Sequence, residues 1–163
     1  MTLLAQATLV AAAASLMAIS PAIASATPTE PTGAAVMPMV SKFRACDFTA
    51  EIWVNAGGDA RGVTYLSTSG SNVVANVDLA TAEPNTHYDV RIIQTPRPSM
   101  GCAPGAPGVI TGGLQTDAGG AGHTTLQGPI ESNATGAWVM IQRPAANSLT
   151  PEEFYTSEFV GSI

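Results

Sequence analysis

Short runs in which apolar and polar residues alternate recur along the chain from residue 45 onward. The clearest is Asn72–Leu79, in which Val73, Ala75, Val77 and Leu79 fall on one side of an extended chain. A period of two residues is typical of a β-strand with one buried face. The same pattern, bounded by glycine, proline, asparagine or aspartate, predicts strands at Ala45–Asn55, Gly62–Ser67, Asn72–Leu79, Thr86–Thr95, Val109–Thr116, His123–Gln127, Gly136–Arg143 and Phe154–Val160.

These strands predict an all-β fold. After the N-terminal segment, no stretch has the helical period over more than about two turns. Roughly seven or eight short strands with turns between them are typical of an antiparallel β-sandwich. We therefore expect a single β-sandwich of immunoglobulin-like or Greek-key type over residues 45–163, with full closure into a barrel as the alternative.

Two features interrupt the simple alternation. In Thr86–Thr95, Tyr88, Val90 and Ile92 are predicted to point inward, but Ile93 breaks the polar pattern of the outer face. That outer face is therefore expected to be partly covered. The following segment, Pro96–Gly108, contains four prolines and predicts a long loop, a type of segment that is often functional.

The N-terminal segment predicts export. Residues 1–26 are rich in alanine and leucine, carry no charge and end in two overlapping small-x-small patterns, Ala22–Ala24 and Ala24–Ala26. This composition predicts a secretory signal peptide, and an uncleaved membrane anchor is the alternative. Residues 27–44, with interspersed prolines and threonines, predict a linker. The expected location is extracellular or in the cell envelope, with membrane contact only through an uncleaved signal.

The sequence contains two cysteines, Cys46 and Cys102. An even number of cysteines in an exported chain predicts a disulfide. Such a bond would close a loop of about 57 residues and contribute about 4 kcal/mol in the chain-entropy model. The alternative, two free thiols or a metal-binding pair, lacks a C-x-x-C motif or a cluster of cysteine and histidine.

The charge balance argues against nucleic acid as a partner. The formal net charge is −6, and the six basic residues are scattered along the sequence. Phosphate backbones are bound by clustered lysine and arginine, which the sequence does not indicate. The remaining partners are an unidentified protein, glycan or lipid.

Candidate catalytic groups are few. His87 and His123 are the only histidines, and both lie beside predicted turns. They are interpreted as solvated side chains, or alternatively as metal ligands or an acid–base pair working with Asp89 or Asp117. No Gly-x-Ser-x-Gly elbow or phosphate-binding loop is present. We therefore predict a non-enzymatic protein without metal or cofactor; the alternative is a metal-dependent or hydrolytic secreted enzyme that uses the two histidines.

Four aromatic residues have two interpretations. Trp53, Tyr65, Trp138 and Tyr155 form either an exposed strip, as a candidate binding surface for glycan or protein, or part of the core that a sandwich requires. The pattern favours the core but leaves both open. Asp117, which begins a glycine-rich turn, is predicted to cap that turn through the backbone amides that follow it.

Three segments, Tyr88–Ile93, Leu114–Gly120 and Gly136–Ile141, resemble parts of superoxide-dismutase-like and CHRD-type Greek-key sandwiches. The shared pattern is a strand, a Thr-Asp-x-x-Gly hairpin and a further strand. The composition also resembles that of small exported actinobacterial proteins. The resemblance implies a fold and no activity. A copper/zinc dismutase holds its metals with a cluster of histidines, and two histidines are too few for that cluster.

Overall fold

The computed structural model describes residues 33–55, 57–148 and 150–163. The predicted signal segment, residues 1–26, and the beginning of the predicted linker lie outside the described residues. Within the described residues, no helix is long and apolar enough to cross a membrane.

The described residues form nine strands, and each pairing between these strands is antiparallel. They are β1 (Ala35–Val40), β2 (Arg61–Ser69), β3 (Asn72–Ala80), β4 (His87–Thr95), β5 (Val109–Gln115), β6 (Gly122–Pro129), β7 (Gly136–Arg143), β8 (Glu153–Ser157) and β9 (Gly161–Ser162).

The strands form one sheet in the order β5-β4-β7-β8-β1-β2-β3-β6, with the short β9 added beside β7. The all-β prediction is therefore confirmed. The sheet curves round until it is nearly closed, so the architecture is barrel-like rather than a clear sandwich of two separate sheets.

Strand β1 connects the two halves of this sheet. Its first four residues pair with β2, whereas Met39 and Val40 pair with β8. Pro38 lies where the partner changes; it has no N–H to donate, but its carbonyl oxygen accepts a 2.9 Å hydrogen bond from the amide of Glu158. One strand thus belongs to both halves.

The start of the domain differs from the prediction. Residues 35–40 were expected in the linker but form β1, with Met37 and Met39 buried and Val36 exposed. Pro38 conceals this alternation in the sequence, because proline ordinarily argues against a strand.

Ala45–Asn55, which the alternation predicts as a long strand, is instead an irregular segment with turns. Phe48 has a φ of 73°, a left-handed conformation outside the extended range of a regular strand, and its amide donates to the carbonyl of Ala45. The predicted alternation places Ile52 on the apolar face of this strand together with Cys46 and Phe48, but Ile52 is 95 % exposed. The prediction was wrong because the segment packs on the outside of the sheet and does not pair within it.

The main core fills the inside of the barrel-like sheet. The inward faces predicted for β3 and β4 are confirmed: Tyr88, Val90 and Ile92 are fully buried, as are their counterparts on β3. The core is completed by Met37, Met39, Leu66, Leu114, Leu126, Ala137, Val139, Ile141 and Tyr155.

The two ends of the sheet, β5 and β6, pack against each other by placing large side chains over glycines. A Cβ atom on Gly128 would lie 2.5 Å from Cγ1 of Ile110, and one on Gly112 would lie 3.1 Å from Cγ of Leu126. Each glycine leaves the space that the opposite aliphatic side chain fills. No backbone pairing between β5 and β6 is present among the described strands, so side-chain packing closes the sheet at this seam.

A buried polar network lies where β7 ends and β8 begins. Oε2 of Glu153 accepts hydrogen bonds from the hydroxyls of Tyr88 at 2.8 Å and Tyr155 at 2.9 Å. Oε1 of Glu153 accepts two hydrogen bonds from Arg143, from Nε at 3.0 Å and Nη2 at 2.8 Å. The tyrosine hydroxyls in turn accept from the amides of Glu83 and Ala60, so the network also fixes two loops.

Candidate functional site

A disulfide joins Cys46 to Cys102, as predicted, and is consistent with an oxidising extracellular environment. The bond connects the irregular segment after β1 to the long loop Pro96–Gly108. A hydrogen bond of 3.0 Å from the amide of Cys46 to the carbonyl of Ser99 reinforces the connection. The two segments together form a cover on the outer face of the sheet.

This cover explains the apolar residues on the outer faces of β4 and β7. Ile93 and Trp138 are fully buried beneath it, beside Met140 and the disulfide. The ring of Phe48 meets that of Trp138 edge-on, with centroids 5.5 Å apart. The covered outer face that Ile93 predicts is therefore present.

Between the two covering segments a cleft of about 430 Å³ remains open. We call it the disulfide cleft. Its floor is the outer face of β4 and β7, with Arg91, Met140 and Gln142, and the disulfide lies at its wall. The walls also include Phe43, Arg44, Ala45, Glu51, Trp53, Ser99, Met100 and Pro151.

The rim of the disulfide cleft is apolar and exposed. The side chains of Trp53 and Met100 are 73 % and 80 % exposed, although both are large and hydrophobic. They extend from opposite covering segments, and Ile52 lies next to Trp53 in the chain. Exposed aromatic and methionine side chains beside a cleft are typical of binding surfaces.

Two arginines and one carboxylate provide the charges of the cleft. Arg44 donates to the carbonyls of Phe48 at 3.1 Å and Glu158 at 3.4 Å, and its guanidinium lies 3.8 Å from the centroid of the Phe48 ring. Burial lowers the pKa of Arg44, and the charge of Glu158 partly opposes this. Glu51 accepts a hydrogen bond from the indole of Trp53.

Arg91 differs from Arg44 in the hydrogen bonds of its guanidinium. The Nε of each is buried without a partner, but Arg44 donates through Nη1 and Nη2, whereas the guanidinium of Arg91 makes no hydrogen bond within the described residues. Salt bridges to Arg91 are also absent from the part of the chain that the structure describes. A buried polar group such as this Nε is costly unless an acceptor reaches it. Arg91 is the chemically available cation on the floor of the cleft.

The four predicted aromatic residues do not form one strip. Trp138 and Tyr155 are fully buried, in the outer and main cores respectively, so they offer no binding surface. Tyr65 is half-buried on β2, and Trp53 alone among the four lies at the disulfide cleft. Trp138 and Tyr155 are therefore core residues, and Trp53 is an exposed residue, as the two interpretations of the aromatic residues allowed.

The two histidines lie on different strands, outside the disulfide cleft. His87 is 3.5 Å from a carboxylate oxygen of Asp89, and His123 is 2.7 Å from one of Asp78. Both imidazoles are mostly exposed. No group of three or more histidine, cysteine, aspartate or glutamate side chains suited to a metal ion occurs in the described part of the chain.

Asp117 caps its turn as predicted. Its Oδ1 accepts hydrogen bonds from the amides of Gly119 at 2.8 Å and Ala121 at 2.9 Å. These amides lower the pKa of Asp117, because they stabilise the ionised carboxylate. The role of this residue is therefore structural, in the connection between β5 and β6.

Sequence reasoning did not find the disulfide cleft. Arg44 and Arg91 were included among the scattered bases, and Met100 was not singled out. The available signals were the outward position of Arg91 on β4 and the closeness of Met100 to Cys102 in the chain. These segments are far apart in the sequence and meet only in the folded protein, where the disulfide and the hydrogen bond from Cys46 to Ser99 join the two covering segments.

No family model, curated protein or solved structure matches this chain. The resemblance to superoxide-dismutase-like and CHRD-type sandwiches therefore stays a prediction.

Proposed function

We propose that this chain is an exported, non-enzymatic binding protein that captures its ligand in the disulfide cleft. The observation that carries the proposal is the exposure of Trp53 and Met100, one on each covering segment, beside a cleft that is also lined by Arg91, whose guanidinium has no salt bridge within the described residues. A volume of about 430 Å³ falls in the range of small-molecule sites, roughly 300–1,000 Å³.

The disulfide and the N-terminal segment support export to the extracellular space or the cell envelope. A cover stabilised by a single disulfide keeps its geometry in an oxidising compartment. Mass spectrometry of the protein recovered from the culture supernatant tests this part. A chain that begins near Thr27 and is two hydrogens lighter than its reduced form supports export, whereas a protein retained in the cytoplasm with both thiols free contradicts it.

Binding is tested with Trp53 as the reporter. Because Trp138 is fully buried, acrylamide quenches mainly the fluorescence of the exposed Trp53. We expect at least one of three probes, octanoate, chitotriose or tetra-alanine, to protect Trp53 from quenching.

The Trp53→Phe variant should remove this signal and weaken binding of the same probe in calorimetry. Val36, also exposed but on β1 and away from the cleft, provides a control: Val36→Ala should bind as the unchanged protein does. Calorimetric binding that is unaffected by Trp53→Phe would contradict the cleft as the site, and no binding of any of the three probes would contradict the proposed function.

A further inference from the structure

The charges and apolar surfaces of the disulfide cleft indicate one chemical class of ligand. We propose, on the basis of the function above, that the cleft binds a small amphipathic carboxylate, with the carboxylate at Arg91 and the apolar part against Trp53 and Met100.

The position of Arg91 carries the first step of this inference. The residue lies on the outer face of β4, opposite Met140 of β7 and Thr111 of β5 in the strand register. Neither cross-strand neighbour is an anion, the Nε of Arg91 is buried without a partner, and its guanidinium forms no salt bridge among the described residues. A planar guanidinium binds carboxylates through two parallel hydrogen bonds, and its partly buried position strengthens them.

The local charge differs in sign from that of the whole protein. The chain carries a formal net charge of −6, yet two of its six basic residues line this cleft. Glu51 is the one carboxylate among the lining residues, and it accepts a hydrogen bond from Trp53. The cleft thus has a small excess of positive charge, which favours an anion over a neutral or cationic ligand.

The apolar walls determine the other part of the ligand. Trp53 and Met100 are exposed on the rim, and Met140 and Phe43 continue the apolar surface inward. Methionine adapts to aliphatic chains of different shape, and the indole supplies a flat face. A carboxylate with a short hydrocarbon tail satisfies both the cation and these walls.

The decisive comparison is between octanoate and octanamide, which have the same tail and differ in the charge of the head group. Calorimetry with the purified chain should give an affinity for octanoate at least about tenfold higher, since charge-assisted hydrogen bonds are about twice as strong as neutral ones. This comparison requires no variant and is independent of any folding defect.

The variant Arg91→Gln should lower the affinity for octanoate at least about tenfold and leave that for octanamide within about twofold. Arg61→Gln, which removes an exposed arginine from β2, is the matched control and should leave both affinities unchanged. The near-ultraviolet circular dichroism of the buried Trp138 reports whether each variant keeps its fold.

Failures of the two proposals are distinguishable. Equal affinity for octanoate and octanamide, or equal loss with Arg91→Gln and Arg61→Gln, overturns the carboxylate proposal while the cleft remains a binding site. Binding of chitotriose, which has no carboxylate, at Trp53 without binding of octanoate likewise overturns it. Absence of binding for all the probes overturns both proposals.

Discussion

The hydroxyl of Tyr88 donates a 2.8 Å hydrogen bond to the carboxylate of Glu153, 65 positions later in the chain. The same carboxylate oxygen accepts from Tyr155, and its other oxygen binds Arg143. One buried acidic side chain therefore connects β4, β7 and β8, and its removal leaves several polar groups without partners.

Replacing Glu153 should destabilise the protein strongly. We expect Glu153→Gln to lower the free energy of unfolding by about 2–3 kcal/mol, because it removes the charged acceptor of a buried network. Urea denaturation measures this change. Glu152, which pairs with the same arginine but is 45 % exposed, provides the control: Glu152→Gln should cost less than about 1 kcal/mol. Equal effects of the two substitutions would contradict the importance of burial.

Stability should fall at alkaline pH. Burial, together with the hydrogen bond to Glu153, raises the pKa of Tyr88 from its usual 10.0 to about 12, and burial also raises the pKa of Tyr155. The folded state therefore retains protons that the unfolded chain has released. The contribution of these tyrosines to the free energy of unfolding is complete below about pH 10 and is lost as pH rises toward about 12. Urea denaturation at a series of pH values from 8 upward measures this loss of unfolding free energy. The variant Tyr88→Phe should show a shallower decline, and an unchanged slope would contradict the assignment.

Asp117 should contribute to the dependence of protein stability on pH in the acidic range. Its pKa is lowered in the folded state, so its contribution is present above the ordinary value of 3.8 and is lost as pH falls through the lowered value. We expect Asp117→Asn to reduce the acid dependence of the unfolding free energy. Asp59→Asn, at another exposed position, is the control and should leave that dependence in place.

Reduction of the disulfide should destabilise the protein and open its cover. The separation of 56 positions between the cysteines corresponds to about 4 kcal/mol in the chain-entropy model. Urea denaturation with and without reductant measures this difference, and acrylamide should reach Trp138 more readily after reduction. The stability of the double variant Cys46→Ala, Cys102→Ala should not change when reductant is added. A change in its stability would show that the effect of reductant does not come from the disulfide.

The seam between β5 and β6 gives a paired test. Gly128→Ala should cost about 1–3 kcal/mol, since the added methyl group overlaps Ile110. The double variant Gly128→Ala, Ile110→Ala should lose less stability than the sum of the losses in the two single variants. A double-mutant cycle measures that coupling, and strict additivity would contradict direct contact.

The strands with regular alternation could be predicted from sequence, and the cleft could not. In β3 and β4 every second side chain is buried, so the two-residue repeat of apolar side chains can be recognised from the sequence alone. Pro38 obscures β1. The segment around Trp53 alternates like a strand, but the left-handed conformation of Phe48 and the disulfide hold it in an irregular course.

The components of the cleft come from separate parts of the chain, among them Arg44 and Trp53, Arg91, Met100 with Cys102, and Met140 with Gln142. Local periodicity carries information about neighbours a few residues apart, whereas these side chains meet only after the sheet has formed. The predicted disulfide was the one long-range constraint available, and it joins the two covering segments that enclose the cleft.

The seam between β5 and β6 also affects the tendency of the protein to aggregate at high concentration. Long, flat strand edges are templates on which further molecules add strands, and such addition leads to fibrils. Here the two end strands of the sheet lie against each other, with Ile110 and Leu126 seated over glycines. Substitutions that force the seam apart should therefore expose two long edges at once, and we expect them to promote aggregation before they cause general unfolding.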